Sequence, residues 1–212
     1  MPNIIELVKK RYLRKTVKYI IWDFDGTLYQ SQRLGRDLRL VFLKLAKKNN
    51  KFVSPNVFDS YTKKCGSWSA AASKLTSLPE TEILDMADTK INKLKYIKTN
   101  LSLVSAIEST QDRYHHLILT NSTSKEVVSS LKKIGFDTSS SNTGPFKKIF
   151  SRDTTGFLKP NPKIYDQILA YTKTIKSRHL FIGDSLVHDI HLPKKLGFKC
   201  LPIWHVDSFF QM

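Results

Sequence analysis

The sequence contains little that would indicate a secreted or membrane-embedded protein. Its 212 residues include two cysteines, Cys65 and Cys200, which are too few for a disulfide framework and do not form a C-x-x-C pair. No apolar run reaches the length of about 18 residues that a transmembrane helix needs. Residues 1–18 are basic and amphipathic, without the apolar centre of a secretory signal. We therefore expect a cytoplasmic protein without a membrane partner.

Acidic residues are also scarce. The chain has 18 Asp and Glu against 35 Lys and Arg, which gives a formal net charge of +17. Such a charge can indicate a nucleic-acid partner, but the basic residues are spread along the chain and are not interleaved with aromatic stacking residues. We do not expect nucleic acid as the main partner. Two interpretations remain open, a basic surface solvated by water or a field that attracts an anionic substrate into a cleft.

What the sequence does contain is an alternation of strands and helices. β-prone apolar runs occur at residues 19–22, 116–120, 146–150, 178–183 and 199–203. Helical patterns lie between the later runs, at residues 101–110, 124–134, 162–171 and 192–196. Strands that alternate with helices form right-handed crossovers and a parallel sheet. We therefore predict an α/β fold, a Rossmann-like three-layer α/β/α core.

Residues 32–99 interrupt this alternation. Apolar residues recur there at three- and four-residue spacing, as on one helix face: Leu34, Leu38, Val41, Phe42 and Leu45. Pro55 and Pro79 favour the first turns of further helices. Because the segment holds no convincing strand, we predict a small all-helical domain at residues 32–99. It would be inserted in a core of residues 1–31 and 100–212, with residues 1–16 as a basic helical extension.

The most informative feature is a pair of carboxylates at the end of the first predicted strand. Asp23 and Asp25 follow the apolar run directly, and Gly26 and Thr27 form a turn after them. Ligands of open parallel sheets bind beyond the carboxyl ends of the strands, so the pair indicates an active site. Either acid alone could instead be a helix N-cap or an Asx-turn residue.

Four motifs occur at strand ends or in nearby loops. They are DFDGT at residues 23–27, LTNS at 119–122, LKP at 158–160 and GDSLVHD at 183–189. In this order they resemble the four motifs of the haloacid dehalogenase superfamily of phosphotransferases. The resemblance covers nearly all of the chain outside residues 1–16 and the insertion. It implies the phosphatase-like branch with a helical cap between the first and second motifs, since dehalogenating members lack an acid at the position of Asp25.

The chemistry of phosphoryl transfer gives the two acids distinct roles. Asp23 can attack phosphorus to form an aspartyl phosphate, and Asp25, on the same side of an extended chain, can protonate the leaving alcohol and then activate water. Two carboxylates would repel a phosphate, which predicts a hard cation such as Mg²⁺. Asp184 is the natural second metal carboxylate. The resemblance implies the Asp25 backbone carbonyl as a further ligand, with Asp189 in or beside the metal shell.

The resemblance also implies the phosphate-binding residues. Thr120 and the backbone N–H of Asn121 would bind phosphoryl oxygens, and Lys159 would neutralise charge on Asp23 and the phosphate. One departure from the family pattern is Pro193, where small residues are usual. Because proline is costly in mid-helix, we expect the helix there to start late.

The sequence supports three functions. The first is a Mg²⁺-dependent phosphatase that hydrolyses a small phosphomonoester, such as a sugar phosphate or a nucleotide. The second is a phosphomutase with the same motifs, and the third is a non-catalytic nucleic-acid-binding protein on this fold. Substrate contacts are expected from the cap and its hinges, around Tyr29, Gln30, Arg33, Arg36 and residues 66–68.

The remaining histidines and cysteines are predicted to have no part in the chemistry. We expect four histidines on the surface or beside the site: His115, His116, His188 and His191. The two cysteines are expected to be small buried residues. The sequence does not indicate an oligomeric state.

Overall fold

The computed structural model describes residues 16–49, 52–139 and 143–203. The expected basic extension, residues 1–16, lies outside the described residues except for Thr16. The described chain divides into two units: Ser31–Tyr96 forms a helical unit, and the segments on either side of it form an α/β unit. None of the described helices combines the length and the apolar character that crossing a bilayer requires.

A five-stranded parallel sheet lies at the centre of the α/β unit. Its strands are β1 (Tyr19–Trp22), β2 (His115–Leu119), β3 (Phe146–Phe150), β4 (His179–Gly183) and β5 (Lys199–Pro202). The strand order β3-β2-β1-β4-β5 places β1 in the middle, so the chain winds outward first on one side of β1 and then on the other. This confirms the Rossmann-like α/β/α prediction, and it places a ligand crevice beside the tip of β1.

The described residues form nine α-helices. Four belong to the helical unit: α1 (Gln32–Asn49), α2 (Pro55–Cys65), α3 (Trp68–Thr76) and α4 (Glu80–Asp88). Five belong to the α/β unit: α5 (Leu101–Glu108), α6 (Ser124–Ile134), α7 (Arg152–Thr155), α8 (Pro162–Thr172) and α9 (Leu192–Lys195). Short 3₁₀ turns occur at Lys93–Lys95 and Lys176–Arg178, and a π-helix at Leu186–His191.

The helix ends follow local sequence signals. Thr123 and Glu126 form the predicted capping box at the start of α6. The α-helix α9 starts at Leu192 with Pro193 in its first turn, but the π-helix Leu186–His191 runs directly into it, so the helical segment as a whole starts earlier than expected. Helix α3 was not predicted, although Ser67 caps it by accepting a hydrogen bond from the N–H of Ala70. Helix α7 was also missed, because its four residues are too few to show periodicity.

Both faces of the sheet are buried at its three central strands, β2, β1 and β4, as expected for a parallel sheet covered on both sides. Ile21 of β1 packs with Leu117, Phe181 and residues of α8 in one core cluster. Ile20 and Trp22 project to the opposite face and are also buried. Full burial of such side chains stabilises the fold by about 1.5–3 kcal/mol each.

The helical unit has its own apolar core. Phe42, Phe58, Ala71, Ala72 and Ile83 are buried together. No strand occurs in the part of this unit that the structure describes, residues 31–49 and 52–96. The segment therefore packs as a small helical bundle.

His116 was expected on the surface or beside the site, and the surface alternative was wrong, because the residue is 1% exposed. The indole N–H of Trp22 donates to its Nδ1 at 3.0 Å, so the neutral ring carries its proton on Nε2, which lies 3.1 Å from Thr110 Oγ1. Burial, followed by the charge of His115, lowers the pKa of His116 to about 4. Its ring therefore stays neutral in the folded protein. The cysteines are only half-buried, against expectation.

We predict that this histidine makes the fold acid-sensitive. The unfolded chain binds the proton near pH 6.5 and the folded chain only near pH 4, so stability present above pH 6.5 is lost as pH falls toward 4. The loss attributable to His116 reaches about 3 kcal/mol. Urea unfolding across this range should show a shallower pH slope for His116→Gln than for the parent. Equal slopes in the two proteins would contradict the assignment.

Candidate active site

The sheet register brings the ends of three strands to one level. Trp22 of β1 pairs with Ile118 of β2 and with Ile182 of β4. Asp23 is the next residue after β1, and Thr120 and Asp184 lie two residues beyond the paired positions. Three of the predicted motifs therefore meet at the carboxyl edge of the sheet, where ligands of this fold bind.

Asp23 is buried at the tip of β1, with 7% of its surface exposed. Its Oδ1 accepts a hydrogen bond from Lys159 Nζ at 2.6 Å, and its Oδ2 accepts one from Thr27 Oγ1 at 2.9 Å. Burial, then the charge of Asp189, raises the pKa of Asp23 well above its usual value, and Lys159 opposes this rise. The carboxylate depends on its cationic partner to stay ionised.

Lys159 joins Asp23 to Asp189. Its ammonium group lies 2.6 Å from Asp23 Oδ1 and 2.6 Å from Asp189 Oδ1, and the residue is 6% exposed. Burial disfavours the charge, but the carboxylates of Asp189 and Asp23 outweigh it and raise the pKa of Lys159. A charged lysine is thus fixed beside the predicted nucleophile.

The backbone of Lys159 is held by Asn121. The Asn121 Oδ1 accepts from the Lys159 N–H at 2.7 Å, and its Nδ2 donates to the Lys159 carbonyl at 3.3 Å. This amide thereby ties the loop after β2 to the loop that carries the lysine. The sequence-based assignment gave Asn121 only a backbone role.

The loop after β2 is also held from β3. Thr120 is buried and donates its N–H to the carbonyl of Phe150 at 2.9 Å, and its Oγ1 accepts from the N–H of Ser122 at 3.0 Å. Arg152, itself buried, donates from Nη1 to the Asn121 carbonyl at 2.9 Å. The sequence analysis missed Arg152, because a single arginine after a strand carries no periodic or motif signal.

Asp25 is held by two hydroxyl groups. Ser122 Oγ donates to Asp25 Oδ2 at 2.6 Å, and the hydroxyl of Tyr29 donates to Oδ1. Burial, followed by the charge of Asp25, raises the pKa of Tyr29 well above its usual value, so the phenol keeps its proton. Tyr29 was expected to contact substrate. Its place four residues after Asp25, across the turn at Gly26, is the sequence signal that could have indicated this contact.

The acidic motif after β4 completes the cluster. Carboxylate oxygens of Asp23, Asp184 and Asp189 lie within 4.8 Å of one another. Asp184 is exposed as a residue, but the protein atoms around its carboxyl group, followed by the charge of Asp189, raise its pKa to about 6. Asp189 is buried, and its Oδ2 accepts from the N–H of Ser185 at 3.0 Å.

This donor set fits a hard divalent cation. Three carboxylates converge, and the ammonium group of Lys159 forms ion pairs with two of them, Asp23 and Asp189. Oxygen ligands with excess negative charge are what Mg²⁺ prefers. Both oxygens of Asp189 accept hydrogen bonds from the protein, Oδ1 from Lys159 and Oδ2 from Ser185. Asp189 is therefore held more firmly by protein contacts than Asp184.

Two glycines let these carboxylates approach the backbone. A Cβ at Gly26 would lie 2.3 Å from Asp184 Oδ2, and one at Gly183 would lie 2.5 Å from the Cβ of Asp189. Real Cβ atoms do not come this close to other heavy atoms. Both positions therefore exclude any side chain while the acids keep their places.

The family model for haloacid dehalogenase-like hydrolases matches residues 20–203. No match was found among curated proteins. The matched range contains the whole helical unit, most of the α/β unit and every predicted site residue.

Solved structures resemble the chain at low sequence identity. A predicted phosphoglycolate phosphatase from Haemophilus somnus 129pt has a TM-score of 0.58 and 18% identity, over 88% of this chain and 85% of its own. A predicted β-phosphoglucomutase from Thermotoga maritima gives 0.56 and 15%, over 89% and 86%. The predicted hydrolase YfnB from Bacillus subtilis, bound to magnesium, gives 0.53 and 17%, over 88% and 86%. At these identities the likeness shows the fold alone.

We predict that Gly26→Ala disrupts the acidic cluster. Its φ of +88° costs an alanine about 1–2 kcal/mol, and the new Cβ would displace Asp184. Gly156→Ala is the matched control, because Gly156 has a φ of +73° but open space around its Cβ. Both variants should lose stability in urea unfolding, and only Gly26→Ala should also lose Mg²⁺ affinity in calorimetry. Equal Mg²⁺ affinity in both would contradict the steric argument.

Proposed function

Since the chain belongs to the haloacid dehalogenase-like hydrolases, we propose that it is a Mg²⁺-dependent phosphatase that cleaves a small phosphomonoester. The observation that carries the proposal is the buried contact of 2.6 Å between Asp23 Oδ1 and Lys159 Nζ at the tip of the central strand. This contact supports the proposal, because phosphoryl transfer to Asp23 would need a nucleophilic oxygen and a fixed positive charge side by side.

In the first step an oxygen of Asp23 attacks phosphorus, and the bond from phosphorus to the ester oxygen breaks. Asp25 gives its proton to the leaving alcohol, and an aspartyl phosphate forms. The ammonium of Lys159 stabilises negative charge on the transferring group. The hydroxyl of Thr120 and the N–H of Asn121 bind its oxygens.

In the second step Asp25 takes a proton from water, and the water oxygen attacks phosphorus. The bond to Asp23 breaks, which restores its carboxylate and releases inorganic phosphate. Ser122 and Tyr29 keep Asp25 directed by donating to its two oxygens. One residue thus serves as acid and then as base.

The cation would be held by Asp23, Asp184 and the backbone carbonyl of Asp25, with Asp189 at the edge of the shell. When bound, Mg²⁺ supplies positive charge that offsets the repulsion between these carboxylates and the phosphate. Without such a cation, the excess negative charge of the cluster would oppose substrate binding.

The helical unit is the reason that we propose a small substrate. We infer that residues 32–99 act as a cap that closes over the site and excludes water from the leaving group. Such a closure suits a sugar phosphate or a nucleotide better than a protein or a long nucleic acid. We place this activity in the cytoplasm, the expectation from the sparse cysteines.

A phosphomutase is the second candidate, because one of the similar structures is that of a predicted β-phosphoglucomutase from Thermotoga maritima. Its first step would be the same, but the aspartyl phosphate would pass to a second hydroxyl of the substrate rather than to water. Product analysis with a bisphosphorylated sugar separates the two reactions: a phosphatase releases free phosphate, and a mutase forms an isomer.

We predict that Asp23→Asn abolishes turnover while the fold is retained. An amide cannot replace the attacking carboxylate, and phosphate release from a panel of small phosphomonoesters with Mg²⁺ should fall by at least about 10⁴-fold. Asp166→Asn, an exposed position on α8, is the control and should keep the parent rate. Phosphate release by Asp23→Asn near the parent level would refute the covalent mechanism.

We predict that Tyr29→Phe and Ser122→Ala each lower kcat by about tenfold with little effect on KM, because Asp25 loses a directing donor. The pH profile of kcat should also shift to higher pH, since a carboxylate that loses a donor binds protons more tightly. Tyr171→Phe removes an exposed hydroxyl whose partner is the carbonyl of Lys147, and it serves as the control. An unchanged pH profile in both site variants would contradict the role of Ser122 and Tyr29 in directing Asp25.

A further inference from the structure

The helical unit contains a groove that none of the assigned active-site residues line. It lies between α1 and α4 and has a volume of about 770 Å³. Binding sites for small molecules commonly enclose about 300–1,000 Å³. The groove is therefore large enough for one small molecule.

The floor of the groove is apolar. Val41 and Leu45 lie one turn apart on α1, Met86 faces them from α4, and Leu78 comes from the segment before α4. All four side chains are half-buried, so part of this apolar surface stays in contact with water. Covering it with a hydrocarbon chain would remove that surface from water, which is favourable.

The rim of the groove is basic. Lys44 and Lys48 lie one turn apart on α1, beside the apolar pair, and Lys90 follows the end of α4. Glu82 is the acidic member of the lining. Within the described residues, no ion pair forms at any of the three lysines. Three ammonium groups thus surround an apolar floor with one carboxylate to offset them.

We propose that this groove binds a free single-chain anionic amphiphile, an alkyl chain that ends in a carboxylate or a phosphate. The chain would lie on Val41, Leu45 and Met86, and the anionic head would lie among the three lysines. A membrane surface fits less well, because insertion into a bilayer needs apolar side chains that protrude. Here the apolar side chains form the floor of a concavity.

The first test is titration calorimetry of the full chain, in buffer without Mg²⁺ so that the acidic cluster repels phosphate, with dodecanoate and dodecyl phosphate below their micelle concentrations. Dodecanol and dodecyltrimethylammonium are the neutral and cationic comparators. Both anions should bind at one site, and the cation should not. In a series from octanoate to tetradecanoate, affinity should rise by up to about fourfold per methylene until the floor is covered.

The second test changes the rim charge. Lys44→Glu combined with Lys48→Glu should weaken dodecanoate binding by about tenfold or more. The matched control combines Lys47→Glu with Lys74→Glu, two exposed lysines of the same unit that do not line the groove. Because all four lysines are exposed, circular dichroism and melting should show folded protein in both variants. Leu45→Trp fills the floor and should remove binding of every chain length.

Several results would overturn the proposal: equal affinity for the cationic amphiphile, equal loss in the control pair, no binding, or binding only to anionic vesicles. Asp23→Asn should bind dodecanoate as the parent does. Dodecanoate binding therefore tests the groove independently of the phosphatase proposal, which is tested by phosphate release.

Discussion

The contact of Lys159 with Asp23 and Asp189 is the interaction on which the site depends. All three residues are less than 8% exposed, and both of the contacts measure 2.6 Å. Removing one partner of a buried ion pair costs about 3–5 kcal/mol, because the other charge is left without compensation. One ammonium cannot balance two carboxylates and the nearby Asp184. The remaining negative charge explains why the donor set suits a cation.

The sheet makes this contact possible. Strand β1 lies between β2 and β4, and the parallel register ends the three strands at one level. Asp23 and Asp189, 166 positions apart in the chain, are joined there by Lys159 from a loop. Gly183 ends β4 without a side chain, which leaves room for Asp189. The burial of the cluster follows from its place at the edge of a covered sheet.

Hydrogen bonds around the acidic cluster tie the loop after β2 to the loops that carry Lys159 and Asp25. Asn121 hydrogen-bonds to both backbone groups of Lys159, and Arg152 holds the carbonyl of Asn121. Ser122, in the same loop, reaches back to Asp25. Asp25 and Lys159 are therefore both held by one short segment after β2, so a change in that segment affects both residues.

The sequence by itself determined the strands and most of the helices, because their signals are local, and its motifs predicted seven site residues. Apolar runs, caps and prolines mark elements, and the motifs mark strand ends. Short elements such as α7 could not be predicted from the sequence, because they show no periodicity. Only the tertiary structure decided that Ser122 holds Asp25, that His116 is buried beside Trp22, and that Arg152 reaches the loop after β2. These contacts depend on side-chain packing between neighbouring strands and loops, and no local pattern encodes it.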